Sequence, residues 1–345
     1  MKLSMSLNYT GDPKRTARTA RDYESAGVDM VWVAELYSFD AVSLMGYLAA
    51  LTERMEIASG ILPLYSRTPT LIGMTAAGLD AVSEGRFALG LGASGPQVIE
   101  GWHGVAYDRP LQRTREIIDI CRMVWRREKV SYEGKAYTLP LPADQGTGLG
   151  KPLKLINQPV RPEIPIWVAS LGPKNVQMTA EMADGWLPIF YHPDRSADVW
   201  ADDLQAGLAR RDPALGPLEV AAGGMVSICG PEEAKRLRDA NRAAVALYVG
   251  GMGARDKNFY NDLFCRYGYE EEAKAIQDLY LSGRKGEAEA LVPDEYLEAT
   301  AMVGDEGFVR DRIEAYRRSG VTRLTIAPVG ENPLQVIEKV RAWAE

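Results

Sequence analysis

The strongest constraint on the fold is a rhythm. Short apolar, β-branched segments alternate with longer stretches of helical periodicity almost from end to end. Segments 3–9, 30–36, 57–64, 86–92, 164–170, 185–190, 219–229 and 322–329 read as strands, each followed by a helix. In the helix at 109–128, for example, Ile117, Ile118, Cys121, Val124 and Trp125 share one face while Arg115, Glu116, Asp119 and Arg122 lie elsewhere. Strands that alternate with helices pair in parallel through right-handed crossovers. Eight such units in 345 residues fit a (β/α)8 TIM barrel with insertions, and an open doubly wound sheet is the competing arrangement. The expectation is one barrel domain over 1–345.

Two tracts break the rhythm. Residues 129–163 are crowded with proline and glycine, which argues against regular helix. Residues 255–300 hold eleven acids against six bases and carry Phe259, Tyr260, Phe264, Tyr267, Tyr269, Tyr280 and Tyr296. Such a tract reads either as a helix pair packed on the barrel or as a lid over the site. The segment 69–83 is apolar nearly all round, which an oligomer contact or ordinary packing would explain.

Composition narrows the function classes. With 46% hydrophobic and 25% charged residues, the chain can bury a large core. A net charge of −7 argues against nucleic-acid binding, which calls for a basic surface. No apolar run is long enough to span a bilayer, the N-terminus lacks a signal-peptide core, and Cys121, Cys229 and Cys265 are too far apart for a disulfide framework. A cytoplasmic protein with reduced thiols is expected. The only histidines, His103 and His192, form no metal-ligand pair, so no metal site is expected.

Two glycine-rich strand ends carry the chemistry. Gly90, Gly92 and Gly95 match G-x-G-x-x-G, but Pro96 and the absence of an acidic strand end further on weaken a dinucleotide reading. They mark either a tight turn or a backbone that lets N–H groups approach an anion. Ser170-Leu171-Gly172-Pro173-Lys174 opens a second strand–helix junction, where free N–H groups and the helix dipole favour negative charge. In a barrel both junctions lie on the C-terminal face, where one extended anionic cofactor could bridge them.

Ala58-Ser59-Gly60-Ile61-Leu62-Pro63, then Arg86-Phe87 running into Gly90–Pro96, then Ala169–Lys174 followed by Ala183-Asp184-Gly185-Trp186, resemble the bacterial luciferase-like superfamily. Within it the chain is similar to the coenzyme F420-dependent oxidoreductases. The resemblance implies a barrel, a homodimer, and F420 at the C-terminal mouth, with hydride exchange between the deazaflavin C5 and a small-molecule substrate. It places a non-prolyl cis bulge at Gly60-Ile61, behind the ring. It gives Ser94 and Gly95 to one side of the cofactor phosphate and Ser170, Leu171 and Gly172 to the other. Glu35 falls where this branch has an acid near the ring, and Asn8 is a candidate polar lining residue. Leu36 stands where the sugar-phosphate dehydrogenases have a catalytic histidine, so their scheme does not transfer. His103, within GWHG after the fourth strand, is either a replacement proton donor alongside Glu35 or the site of a structural hydrogen bond. Two alternatives share the barrel: an FMN-dependent two-component monooxygenase and a non-catalytic flavin or F420 carrier.

Overall fold

In the computed structural model, which describes residues 1–8, 10–253, 255 and 257–345, eight parallel strands close on themselves. They are β1 (Lys2–Ser6), β2 (Met30–Val33), β3 (Glu56–Ser59), β4 (Phe87–Gly92), β5 (Ile166–Val168), β6 (Gly185–Trp186), β7 (Glu219–Ile228) and β8 (Arg323–Pro328). Successive strands pair in order, and β8 returns to β1 with Lys2 opposite Arg323. The alternation of strand and helix is therefore a (β/α)8 barrel, and the open sheet is excluded.

Boundaries differ from the sequence reading in instructive ways. The first strand stops at Ser6, so Asn8 lies beyond it in a turn. The third is interrupted: β3 ends at Ser59, Gly60-Ile61 is a cis peptide, and Leu62–Pro63 resumes pairing with β4. A short strand, Met302–Gly304, pairs with the end of β7 and had no sequence signal distinct from the helical tract before it. The helix expected over 109–128 runs Pro110–Trp125 and is preceded by a short one, Pro96–Gly101.

The barrel interior is filled unevenly. Trp32 of β2 and Trp167 of β5 meet edge to face at 5.2 Å, and the neighbouring inward positions are Ala58, Ala88 and Ala221. Two large indoles leave room only for small residues opposite. At Gly185 a Cβ would stand 2.2 Å from the Trp167 ring. Beneath the indoles, Arg323 is 4% exposed, bonds to Glu219 and Glu56, and lies over the Trp167 face. This guanidinium closes the N-terminal end of the barrel.

The two irregular tracts take different roles. Residues 129–163 carry a small hairpin, Tyr132–Glu133 with Thr138–Leu139, and return Arg161 to the fully buried Asp80 at 2.6 Å. Residues 257–300 fold into short helices held to the barrel by aromatic rings. Tyr267 Oη donates to Phe190 O at 3.0 Å and accepts from the His192 amide at 3.1 Å. Tyr191 stacks on Trp200 at 5.7 Å, and Trp200 meets Tyr267 edge-on. The acids face solvent while the rings anchor the tract to the end of β6.

His192 sits in this packing, 2% exposed between Tyr267 and Tyr296, with neither ring nitrogen hydrogen-bonded. Burial pulls its pKa from 6.5 to about 4. The unfolded chain therefore binds a proton in a window where the native chain does not, and stability falls as pH drops from about 6.5 towards 4. The loss attributable to His192 should reach up to about 3 kcal/mol. Urea unfolding of wild type and His192→Phe across that window checks it: the variant's stability should depend less on pH, and parallel curves would refute the assignment.

Candidate functional site

The mouth of the barrel is built by the loops leaving β2 to β6. On the β3–β4 side the chains touch closely. Ser59 Oγ donates to Gly90 O at 2.9 Å and accepts from Gly90 N at 2.8 Å, and a Cβ at Gly90 would stand 1.8 Å from Ser59 O. Gly90 therefore serves strand contact, not anion approach. Its partner Gly92 faces Ile61 in the same way, at 2.9 Å. The wall formed there is Gly60-Ile61, with Trp32 directly below Gly60.

Past β4, Ser94 adopts a left-handed backbone, φ 58°, which non-glycine residues rarely take. Gly95 then caps the short helix without a side-chain bond. Gly172 caps Pro173–Met182 in the same bare way. The N–H groups of Ser94, Gly95, Leu171 and Gly172 have no acceptor among the described residues.

The strand-five tip owes its orientation to two tryptophans that sequence reasoning missed. Trp186 Nε1 donates to Ser170 O at 2.9 Å, and Trp200 Nε1 donates to Leu171 O at 3.0 Å. In a trans peptide the C=O and the following N–H point to opposite sides. Fixing these carbonyls against the outer helical layer turns the Leu171 and Gly172 amides the other way, towards the mouth. Ser170 contributes only its main chain, because its hydroxyl pairs with Thr179 Oγ1 at 2.8 Å. Nothing lies within 4 Å of a Cβ at Gly172, so the space beside these amides is open.

Glu35 is 7% exposed and lies just beyond β2. Arg67 grips it with two bonds, Nη1 to Oε1 at 2.5 Å and Nη2 to Oε2 at 2.9 Å, and the Ala41 amide donates to Oε2 at 2.9 Å. Both oxygens are thus engaged, and the carboxylate ties the loop after β3 to the helix Ala41–Leu51. Arg67 is 32 residues away and carries no sequence signal of this pairing. Asn8 is exposed, with its Oδ1 accepting from Thr10 N and Thr10 Oγ1. His103 follows the short helix after β4, and its Nε2 is buried without a partner. No group of His, Cys, Asp and Glu among the described residues could hold a metal.

The luciferase-like monooxygenase family model matches residues 1–323. The chain belongs to that family. A putative coenzyme F420-dependent oxidoreductase of Mycobacterium tuberculosis is 41% identical over 331 residues, 94% of each chain. Among solved structures, the coenzyme F420-dependent tetrahydromethanopterin reductase of Methanopyrus kandleri superposes with a TM-score of 0.79 at 23% identity, covering 99% of this chain and 97% of its own. An F420-dependent secondary alcohol dehydrogenase in complex with an F420-acetone adduct gives 0.76 at 18% identity, over the whole of both chains. These likenesses carry the luciferase-like barrel over the full length. No helix is long and apolar enough to cross a membrane among the described residues.

The Glu35–Arg67 clamp makes a direct prediction. Removing the guanidinium leaves a buried carboxylate without its partner, a loss that commonly costs about 3–5 kcal/mol. Arg67→Met should therefore destabilise the fold more than Glu35→Gln, which keeps an acceptor for Ala41 and relieves the charge. Denaturant midpoints compare them, and equal small effects would show that the pair is dispensable.

Proposed function

We propose that the protein is a coenzyme F420-dependent oxidoreductase acting on a small organic substrate, with the chain 1–345 working as one barrel unit. What supports this reading most is the pair of bare, amide-rich strand ends, one of them aimed by Trp186 and Trp200, in a chain 41% identical to an F420-dependent oxidoreductase. Main-chain amides bind anions without fixed cations, and the fit to a phosphate-bearing cofactor lies in that donor set. Ser94, Gly95, Leu171 and Gly172 would hold the anionic end, with Ser170 contributing its main chain; Gly60-Ile61 would back the ring, and Asn8 would lie at the rim. The chemistry supplied by a bound deazaflavin is hydride exchange at C5, and the protein's part is binding, orientation and water exclusion.

Proton handling falls to His103 and Glu35 as candidates with different standing. His103 Nε2 is buried and unpartnered, so a proton there has no competing protein acceptor among the described residues. Glu35 has both oxygens occupied, so its contribution is to hold the β2 and β3 loops in place beside the ring. FMN would fit a similar amide floor, and the choice of F420 rests on the relatives.

Titration of F420 with purified protein, followed by deazaflavin fluorescence, should show quenching with micromolar or tighter affinity. Trp200→Phe keeps the ring but frees the Leu171 carbonyl, and should weaken that binding about 5- to 10-fold, the worth of roughly one hydrogen bond. No quenching by wild type would reject the cofactor.

We further propose a cytoplasmic homodimer. Leu71, Met74, Gly78 and Val82 form an exposed stripe along Pro69–Val82, and Tyr47 and Gly46 continue it on the neighbouring helix. A Cβ at Gly46 or Gly78 would meet nothing within 4 Å, so the surface is flat and open to a second copy. The free cysteines suit a reducing compartment. Met74→Asp should convert a dimer to monomer in light scattering; a wild-type monomer would refute the interface.

A further inference from the structure

Above the β4 and β6 strand ends, rings from three separate parts of the chain converge. Tyr107, in the loop after the short helix, donates its hydroxyl to Ser94 O at 3.3 Å and stacks on Tyr65. Phe190, just past β6, meets Tyr260 at 5.7 Å and Tyr248 at 5.0 Å, and those two tyrosines meet edge-on at 4.9 Å. Tyr260 begins the acidic insertion, on the helix Phe259–Arg266, and Tyr248 sits in the π-helical turn Leu247–Gly251. Turns of that kind cluster at functional sites. The two groups of rings thus stand beyond the ends of β4 and β6, the strands that flank β5 in the barrel.

Two further features mark the place. Ser94 and Phe190 both hold left-handed φ values, 58° and 56°, a conformation that persists only where the surroundings enforce it. Tyr260 Oη has no hydrogen-bond partner among the described residues, although the residue is half-buried. That hydroxyl opens to solvent and is free to donate to a ligand.

We propose that Tyr260, beside Tyr107, forms a phenolic roof over the strand-tip amides and donates a hydrogen bond to the anionic tail of the bound cofactor. This rests on the F420 reading of the same site. The amides supply the floor and the phenol the cover; Arg113, which packs over the Tyr65 ring, is already bound to Asp108 and the Tyr137 hydroxyl. Burial, with the Tyr248 and Tyr107 phenols close by, pushes Tyr260 up to about 12, so it stays a protonated donor throughout the physiological range. The insertion thus selects for the tail of the cofactor and leaves the ring side of the mouth to the substrate.

The test compares F420 with the same deazaflavin lacking its phosphate-bearing tail, each titrated against full-length protein by fluorescence quenching. Tyr260→Phe should raise the Kd for F420 about 5- to 10-fold and leave the Kd for the truncated deazaflavin within about 2-fold. Tyr260→Leu should act in the same direction, and it stands in should Tyr260→Phe fail to fold. Equal losses for both ligands would place Tyr260 at the ring and overturn the proposal, as would no change for either. Should wild type bind neither deazaflavin, the F420 reading fails separately, and FMN against riboflavin makes the same comparison: a Tyr260 effect confined to FMN supports the roof, and no binding or no difference overturns it.

Discussion

The mouth of this barrel is organised by how closely β3 and β4 approach. With Ser59 O already occupying the space that a side chain at position 90 would need, the two strands lock through the reciprocal Ser59–Gly90 bonds. That contact fixes where β3 breaks at Gly60-Ile61 and where β4 releases the chain at Gly92. Everything at the ring side of the mouth is placed relative to it. At the opposite side Trp186 and Trp200 do equivalent work with two hydrogen bonds, since a planar peptide cannot present its carbonyl and its amide to the same side. Rigid strand ends then deliver main-chain donors whose direction is set by packing and does not depend on any mobile side chain.

The electrostatics follow the same economy. The protein is acidic overall, and the best-placed guanidinium at the mouth, Arg67, is already bound to Glu35 by two bonds. At the β5 tip, Lys174 is exposed in the first turn of the following helix. In the proposed site, anion recognition would rest mainly on amides and a phenol, which carry no net charge and need no counter-charge. A donor set of this kind discriminates by direction and distance, whereas a cluster of lysines would accept any anion of sufficient charge.

Much of this was legible in the sequence, for identifiable reasons. The eight strands follow from apolar runs and helical faces, both local patterns. Gly60-Ile61, Ser94-Gly95 and Leu171-Gly172 stood out because backbone that must turn sharply or approach closely is written in glycine. What stayed hidden was pairing across long separations. Nothing near Glu35 announces Arg67, and nothing near Leu171 announces Trp200, because such partners are set by how helices pack on the barrel. Ser170 is a binding residue in the sequence analysis, and its hydroxyl is engaged by Thr179, nearly two turns into the following helix. The short strand Met302–Gly304 was lost for a related reason: three apolar residues after a helix look like the end of that helix until β7 supplies their partner.

The acidic insertion packs on the barrel end through its aromatic residues. Its rings are the anchors: Tyr267 binds both sides of the β6 end, and Trp200, which stacks against Tyr191 and meets Tyr267, is the same residue that fixes the Leu171 carbonyl. A single indole thus links the attachment of the insertion to the aim of the strand-five amide. Because the tract is pinned at that point, Tyr260, with the neighbouring Tyr248, is held against Phe190 just past β6. A change at Trp200 therefore acts on the insertion and on the Leu171 carbonyl together.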